Sequence, residues 1–127
     1  MKFIGKAAIF GLVILFAWST VALAVEKGFL WDGAQWKDMT PELKTTYVKG
    51  IGNMADFEVA TGGAGRAFCI SKGFVDELKT KTVSQVVAEV DAFYKENPGK
   101  GSTPVIEVIL RKSTKLCPPE AALGKKK

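Results

Sequence analysis

The chain has 127 residues, a formal charge of +5, two cysteines and no histidine. That length allows one small domain. Without histidine, Ser-His-Asp and Cys-His mechanisms lack their base and zinc loses its usual nitrogen ligand; two cysteines cannot make a four-cysteine metal site, and Cys-x-x-Cys-His for haem attachment is absent.

Residues 1–24 read as a secretory signal peptide, with Lys2 and Lys6 as the positive region and Ala7 to Ala17 as the apolar core. Ala22-Leu23-Ala24 supplies a small-x-small cleavage site, after which Val25 begins the mature chain. A retained anchor is the competing reading, since the uncharged run from Ala7 to Val25 is 19 residues long. Ser19 and Thr20 interrupt that run, and no cysteine follows the cleavage site to carry a lipid. The expected location is therefore the periplasm or the exterior, with no stable membrane anchor after cleavage. The leader also explains the charge. Of 18 Lys and Arg, two lie in the leader and three at Lys125–Lys127, leaving 13 against 13 acids. A neutral domain lacks the basic face of a nucleic-acid binder, so no nucleic-acid partner is expected. Residues 119–127 read as a disordered basic tail; weak contact with anionic envelope surfaces is the alternative.

Residues 25–39 read as an irregular N-terminal segment carrying Phe29, Trp31 and Trp36, with Asp32-Gly33 as a turn signal. Thr40-Pro41-Glu42 then predicts a helix start: Thr as N-cap, Pro first in the helix, an acid in the first turn. Leu43, Tyr47, Ile51 and Met54 follow at helical spacing on one face, and the helix is expected to fade near Val59-Ala60. Gly50 and Gly52 each cost about 1 kcal/mol against alanine, which points to a close helix approach or a bend. The stretch 61–65 holds three glycines but lacks the Gly-Lys-Ser/Thr ending of a phosphate loop, so it reads as a plain connection or a partner-contact loop.

Phe68-Cys69-Ile70 opens the second half, with a short helical turn expected over residues 74–78. Thr82-Val83-Ser84-Gln85 is a capping box. Behind it Val83, Val86, Val87, Val90, Phe93 and Tyr94 form a stripe of helical period, ended by Asn97-Pro98-Gly99. Thr103-Pro104 repeats the earlier start. After it, Val105, Val108, Ile109 and Leu116 are expected to face inward, while Arg111, Lys112 and Lys115 suit the last turn's carbonyls. Cys117-Pro118-Pro119 ends the helix. The predicted fold is all-α, a bundle of about three to five helices over residues 40–118.

An exported chain with one cysteine pair most simply forms a Cys69–Cys117 disulfide. With 47 residues between them, the two lack the Cys-x-x-Cys spacing of a redox pair. Asp32 and Asp38 bracket Trp36, a pattern that suits a sugar-binding corner but also occurs on plain surfaces. Asp76-Glu77 and Glu89-Asp91 read as solvated helix faces. No nucleophile, base or metal cluster stands out, so neither an enzyme nor a cofactor is expected; carboxylate-only catalysis is the residual alternative. For protein binding, the candidates are Trp31 and Trp36 in the entry, and the Asp56–Arg66 connection with Asp56, Glu58 and Arg66. Both tryptophans also suit a core or staple role.

The second half has a recognisable order: Phe68-Cys69-Ile70, Thr82-Val83-Ser84-Gln85-Val86-Val87, Phe93-Tyr94-Lys95-Glu96-Asn97-Pro98 and Cys117-Pro118. This resembles the Rap/Tai type of immunity proteins, and Tyr47-Val48-Lys49-Gly50 resembles that family's aromatic-x-x-Gly element. The resemblance covers about residues 40–118. It implies an all-helical periplasmic protein, often a homodimer, that binds and occludes a peptidoglycan amidase effector delivered by type VI secretion. The chain departs from the family pattern in lacking a cysteine before the aromatic-x-x-Gly element, and in its glycine-rich connection and paired tryptophans. A small envelope stress protein or periplasmic chaperone, exposing apolar stripes on partial unfolding, is the alternative function.

Overall fold

Capping and apolar period organise residues 30–119, the part of the chain described by the computed structural model, into six α-helices and a 3-10 turn with no strand. The expected leader, residues 25–29 and the tail beyond residue 119 lie outside the described residues. The helices are α1 (Gly33–Asp38), α2 (Pro41–Thr61), α3 (Gly65–Leu78), α4 (Val83–Glu96), α5 (Val105–Ile109) and α6 (Arg111–Leu116). The fold is all-α and carries the Cys69–Cys117 disulfide, with Cα atoms 5.9 Å apart. Helix α1 replaces the expected irregular entry and α6 is separate from α5, and both have a local cause.

The entry is helical over α1. Asp32 accepts from the Ala34 amide at 2.8 Å and Gln35 reaches back to the Asp32 amide at 2.9 Å, so Asp-Gly opens a helix instead of making a plain turn. Gly33 is required by close approach: a Cβ there would stand 2.7 Å from the Tyr94 ring. In α2, Thr40 caps the Leu43 amide at 3.3 Å with Pro41 behind it, and the helix closes at Gly62. Its core side is Val48, Gly52 and Ala55. The Leu43–Tyr47–Ile51–Met54 face lies beside that side, with Leu43 and Met54 exposed at 56% and 64%. Gly52 serves the expected close approach, where an added Cβ would sit 3.2 Å from Leu78, whereas Gly50 faces open space.

Helix α3 begins at Gly65, well before the short turn expected at 74–78. It starts without a side-chain cap, and packing supports it instead. It lies along α2 and α6, Phe74 is fully buried, and the disulfide joins Cys69 to the end of α6. Helix α4 follows its capping box, with Thr82 and Gln85 bonding each other's backbone amides, and buries Val86, Val90, Phe93 and Tyr94.

The second Thr-Pro works differently from the first. Pro104 takes the N-cap position of α5 without a side-chain bond, and the Thr103 carbonyl instead accepts from the Tyr94 hydroxyl at 2.6 Å. Val105 and Ile109 face inward as expected. Leu116 does not; it is 74% exposed. The helix breaks at Leu110, and the phase restarts in α6, which buries Ser113. The core thus gathers Trp36, Val48, Phe74, the α4 stripe, Val105 and Ile109.

Candidate functional site

The chain's entry, α2 and α5 meet along an apolar groove of about 590 Å³. Tyr47, Ile51 and Ala55 of α2 lie along it with Leu43, Gly50 and Met54; Ile106 and Leu110 line it from α5, and Trp31 from the entry. Trp31 is positioned at both ends of its residue. Its carbonyl accepts from the Val105 amide at 2.8 Å, and its ring stacks on Tyr47 at 5.6 Å between centroids. The Gly33 amide donates to the Gly101 carbonyl at 2.8 Å, holding the next turn of the entry against the same loop.

Trp36 has a different role from Trp31. It is 1% exposed, and its indole N–H donates to Asp91 Oδ1 at 2.7 Å. Lys44 donates to the same oxygen at 2.8 Å and stands 5.2 Å from the Trp36 ring centroid. Trp36 is therefore a core pin between α1 and α4, not an exposed aromatic for a partner. Its edge contact with Tyr47 supports the groove from behind. Burial pushes the Tyr47 phenol above its usual pKa, as expected beside an apolar surface.

Two of the groove's polar side chains, Thr46 and Ser71, are already committed. Thr46 donates to the Glu42 carbonyl at 2.9 Å, and Ser71 donates to Glu58 Oε2 at 2.6 Å. This arrangement can bury an apolar surface but has no paired acid and base for proton transfer. Of the binding residues expected from sequence, only Trp31 lines it. Asp56 is exposed on α2, Glu58 is tied to Ser71, and Arg66 lies half-buried in the first turn of α3. The wall residues Leu43, Met54, Ile106 and Leu110 were the ones sequence reasoning missed. The available signal was that α2 carries two apolar faces, more than one core contact uses.

A second, polar cavity of about 420 Å³ includes Glu77, Lys81, Glu89 and Arg111. Lys81 of the α3–α4 link pairs with Glu77 and, at 2.8 Å, with Glu89. Burial works against the Lys81 charge, but the hydrogen bonds its ammonium donates to Glu77 and then Glu89 leave its pKa raised. Arg111 lies over the Phe93 ring at 4.3 Å. Lys81 ties α3 to α4 through these two carboxylates, so this part of the cavity reads as a joint. Among the described residues no cluster of three or more His, Cys, Asp or Glu could hold a metal, and no helix is long and apolar enough to cross a membrane.

No family model, curated protein or solved structure matches this chain.

Proposed function

We propose that this is a non-enzymatic envelope protein that works by binding another protein, with the α2–α5 groove as its main docking face. The observation that carries the reading is the exposure of Leu43, Met54 and Trp31 around one nearly uncharged groove. Apolar patches framed by a rigid scaffold are typical of interaction sites. A stapled domain presents such a face at little ordering cost.

The partner class comes from the Rap/Tai resemblance: a peptidoglycan amidase effector whose cleft the protein occludes in the periplasm. Blocking a cleft requires shape and burial, not a catalytic residue, which agrees with the chemistry of the groove. Asp56, Glu58 and Arg66, at the α2–α3 end, are a second contact region in this reading. A homodimer is part of the same proposal. The test is recovery of the protein from the cell envelope with its bound proteins identified, alongside challenge of a deletion strain by sibling amidases. Co-purification of an amidase and loss of resistance support the reading; neither an amidase nor any sensitivity overturns it.

The exposed groove also favours a second reading, a periplasmic chaperone whose apolar surface captures unfolded clients. Suppression of client aggregation at low pH, with no stable partner recovered, would select it.

A further inference from the structure

The polar cavity of about 420 Å³ has a second part that the Lys81 joint leaves unused. Four cations line the cavity, Lys81, Arg111, Lys112 and Lys115, against two carboxylates, Glu77 and Glu89. Lys81 already holds both carboxylates. Among the described residues, the side chains of Arg111, Lys112 and Lys115 have no ion-pair or hydrogen-bonded partner, so α6 presents three uncompensated charges to the cavity. The expected contacts of these cations with the last turn's carbonyls are not made.

The break at Leu110 accounts for the half-buried member of the group. On a continuous helix, Glu107 would stand one turn before Arg111 and pair with it. With α5 ended at Ile109, Glu107 does not line the cavity, and Arg111 lies over the Phe93 ring at 4.3 Å instead. That contact holds the guanidinium but supplies no oxygen acceptor for its five N–H donors. Lys115 is a helical neighbour of both other cations, four residues from Arg111 and three from Lys112.

We propose that this side of the cavity is a binding site for a phosphate monoester. Arg111 takes two of its oxygens with its planar fork, and Lys112 and Lys115 bring point charges to the remaining one. A carboxylate satisfies the fork alone, whereas a phosphate monoester carries about two negative charges and three acceptor oxygens, which suits three cations. Phe93, Val108 and Ile109 supply apolar lining, and a low local dielectric strengthens each contact. Lys81 meanwhile offsets the repulsion from Glu77 and Glu89. The cavity shares no lining residue with the apolar groove, so the site stands apart from the docking reading. A soluble phosphate ester and a lipid headgroup present the same chemistry, and the arms of the test separate them.

The test uses protein expressed from the full chain, purified as cells process it and isotopically labelled on nitrogen. Inorganic phosphate is titrated at constant ionic strength against a chloride control. In parallel, the protein is sedimented with phosphatidylcholine vesicles that contain phosphatidic acid, phosphatidylglycerol or neither. Saturable shifts of the Arg111 side-chain Nε–H and of the Lys112 and Lys115 amides, seen with phosphate and not with chloride, support a soluble ester. Retention on phosphatidic acid vesicles alone supports a lipid headgroup. In either arm Arg111→Lys, which keeps the charge but removes the fork, should weaken binding about tenfold, the worth of one charge-assisted hydrogen bond. The exposed pair Lys112→Gln with Lys115→Gln should weaken it by a similar factor with an unchanged circular dichroism spectrum, and decides the matter if Arg111→Lys does not fold. No saturation by about 10 mM phosphate together with no vesicle retention overturns the site. Full affinity in Arg111→Lys also overturns it, as does equal retention on phosphatidylglycerol, whose phosphate is a singly charged diester.

Discussion

Helices α4 and α2 carry apolar residues at the same period but meet opposite fates. The α4 stripe buries Val86, Val90, Phe93 and Tyr94 almost completely, with Glu89 and Lys95 outside. In the longer α2, the buried positions are Val48, Gly52 and Ala55, while the large residues Leu43, Met54 and Phe57 are 56%, 64% and 62% exposed. The two helices also differ in position. Helix α4 lies between α2 and α5, inside the loop closed by Cys69–Cys117, and α2 lies outside that loop. Periodicity thus identifies residues that share a face, but the surrounding helices decide whether that face is covered. Small residues mark the covered face of α2 because they permit the closest approach.

The strongest way to break this contrast is to open the loop around α4. Replacing both cysteines by alanine should lower stability by about 4 kcal/mol, from the chain-entropy cost of a loop this size. Urea denaturation reads the loss, and amide exchange should show α4 losing more protection than α2. Equal losses would mean that the staple does not distinguish the two helices. Phe93→Ala should cost about 3 kcal/mol by leaving a cavity in the α4 layer, checked by the same titration.

Alkaline pH sharpens the contrast through Tyr94. Burial first, with Asp32 adding to it, pushes this phenol up to about 12. A raised value stabilises the fold fully below the unfolded pKa of about 10, and that contribution disappears as pH climbs from about 10 to 12. Tyr94→Phe should make the decline over that window shallower, as measured by denaturant titrations at successive pH values. A parallel decline would show that this phenol does not set the alkaline limit. The smallest effect belongs to the open side. Met54→Ala should change stability by less than about 0.5 kcal/mol; a loss near that of Phe93→Ala would show that the α2 face is covered in solution.

Local signals made α4 readable from sequence, because its capping box, stripe and Asn-Pro stop all lie within the helix. The α1 helix carried a local signal too: Gln35 stands three residues after Asp32, although Asp-Gly alone suggested a turn. For α3 there was no such signal, since its early turns rest on α2 and α6 and not on a cap. Within the groove, Trp31 was readable as an aromatic held near the core. Ile106 and Leu110 were not, because their part in the wall depends on how α5 docks and where it breaks. Trp36 shows the reverse problem: an entry aromatic looks the same in sequence whether it meets solvent or, as here, Asp91 in the interior.

The backbone bonds from Val105 to Trp31 and from Gly33 to Gly101 join positions separated by more than half the chain. A ribosome delivers the entry first and its partners last. At about 5–20 residues per second, the entry waits several seconds for them. During that interval Trp31 lacks its Val105 partner and Trp36 its Asp91 partner for part of the time, so the amino-terminal part of the domain remains incomplete until synthesis is nearly finished. These closing bonds can form only once residues 101–105 have emerged.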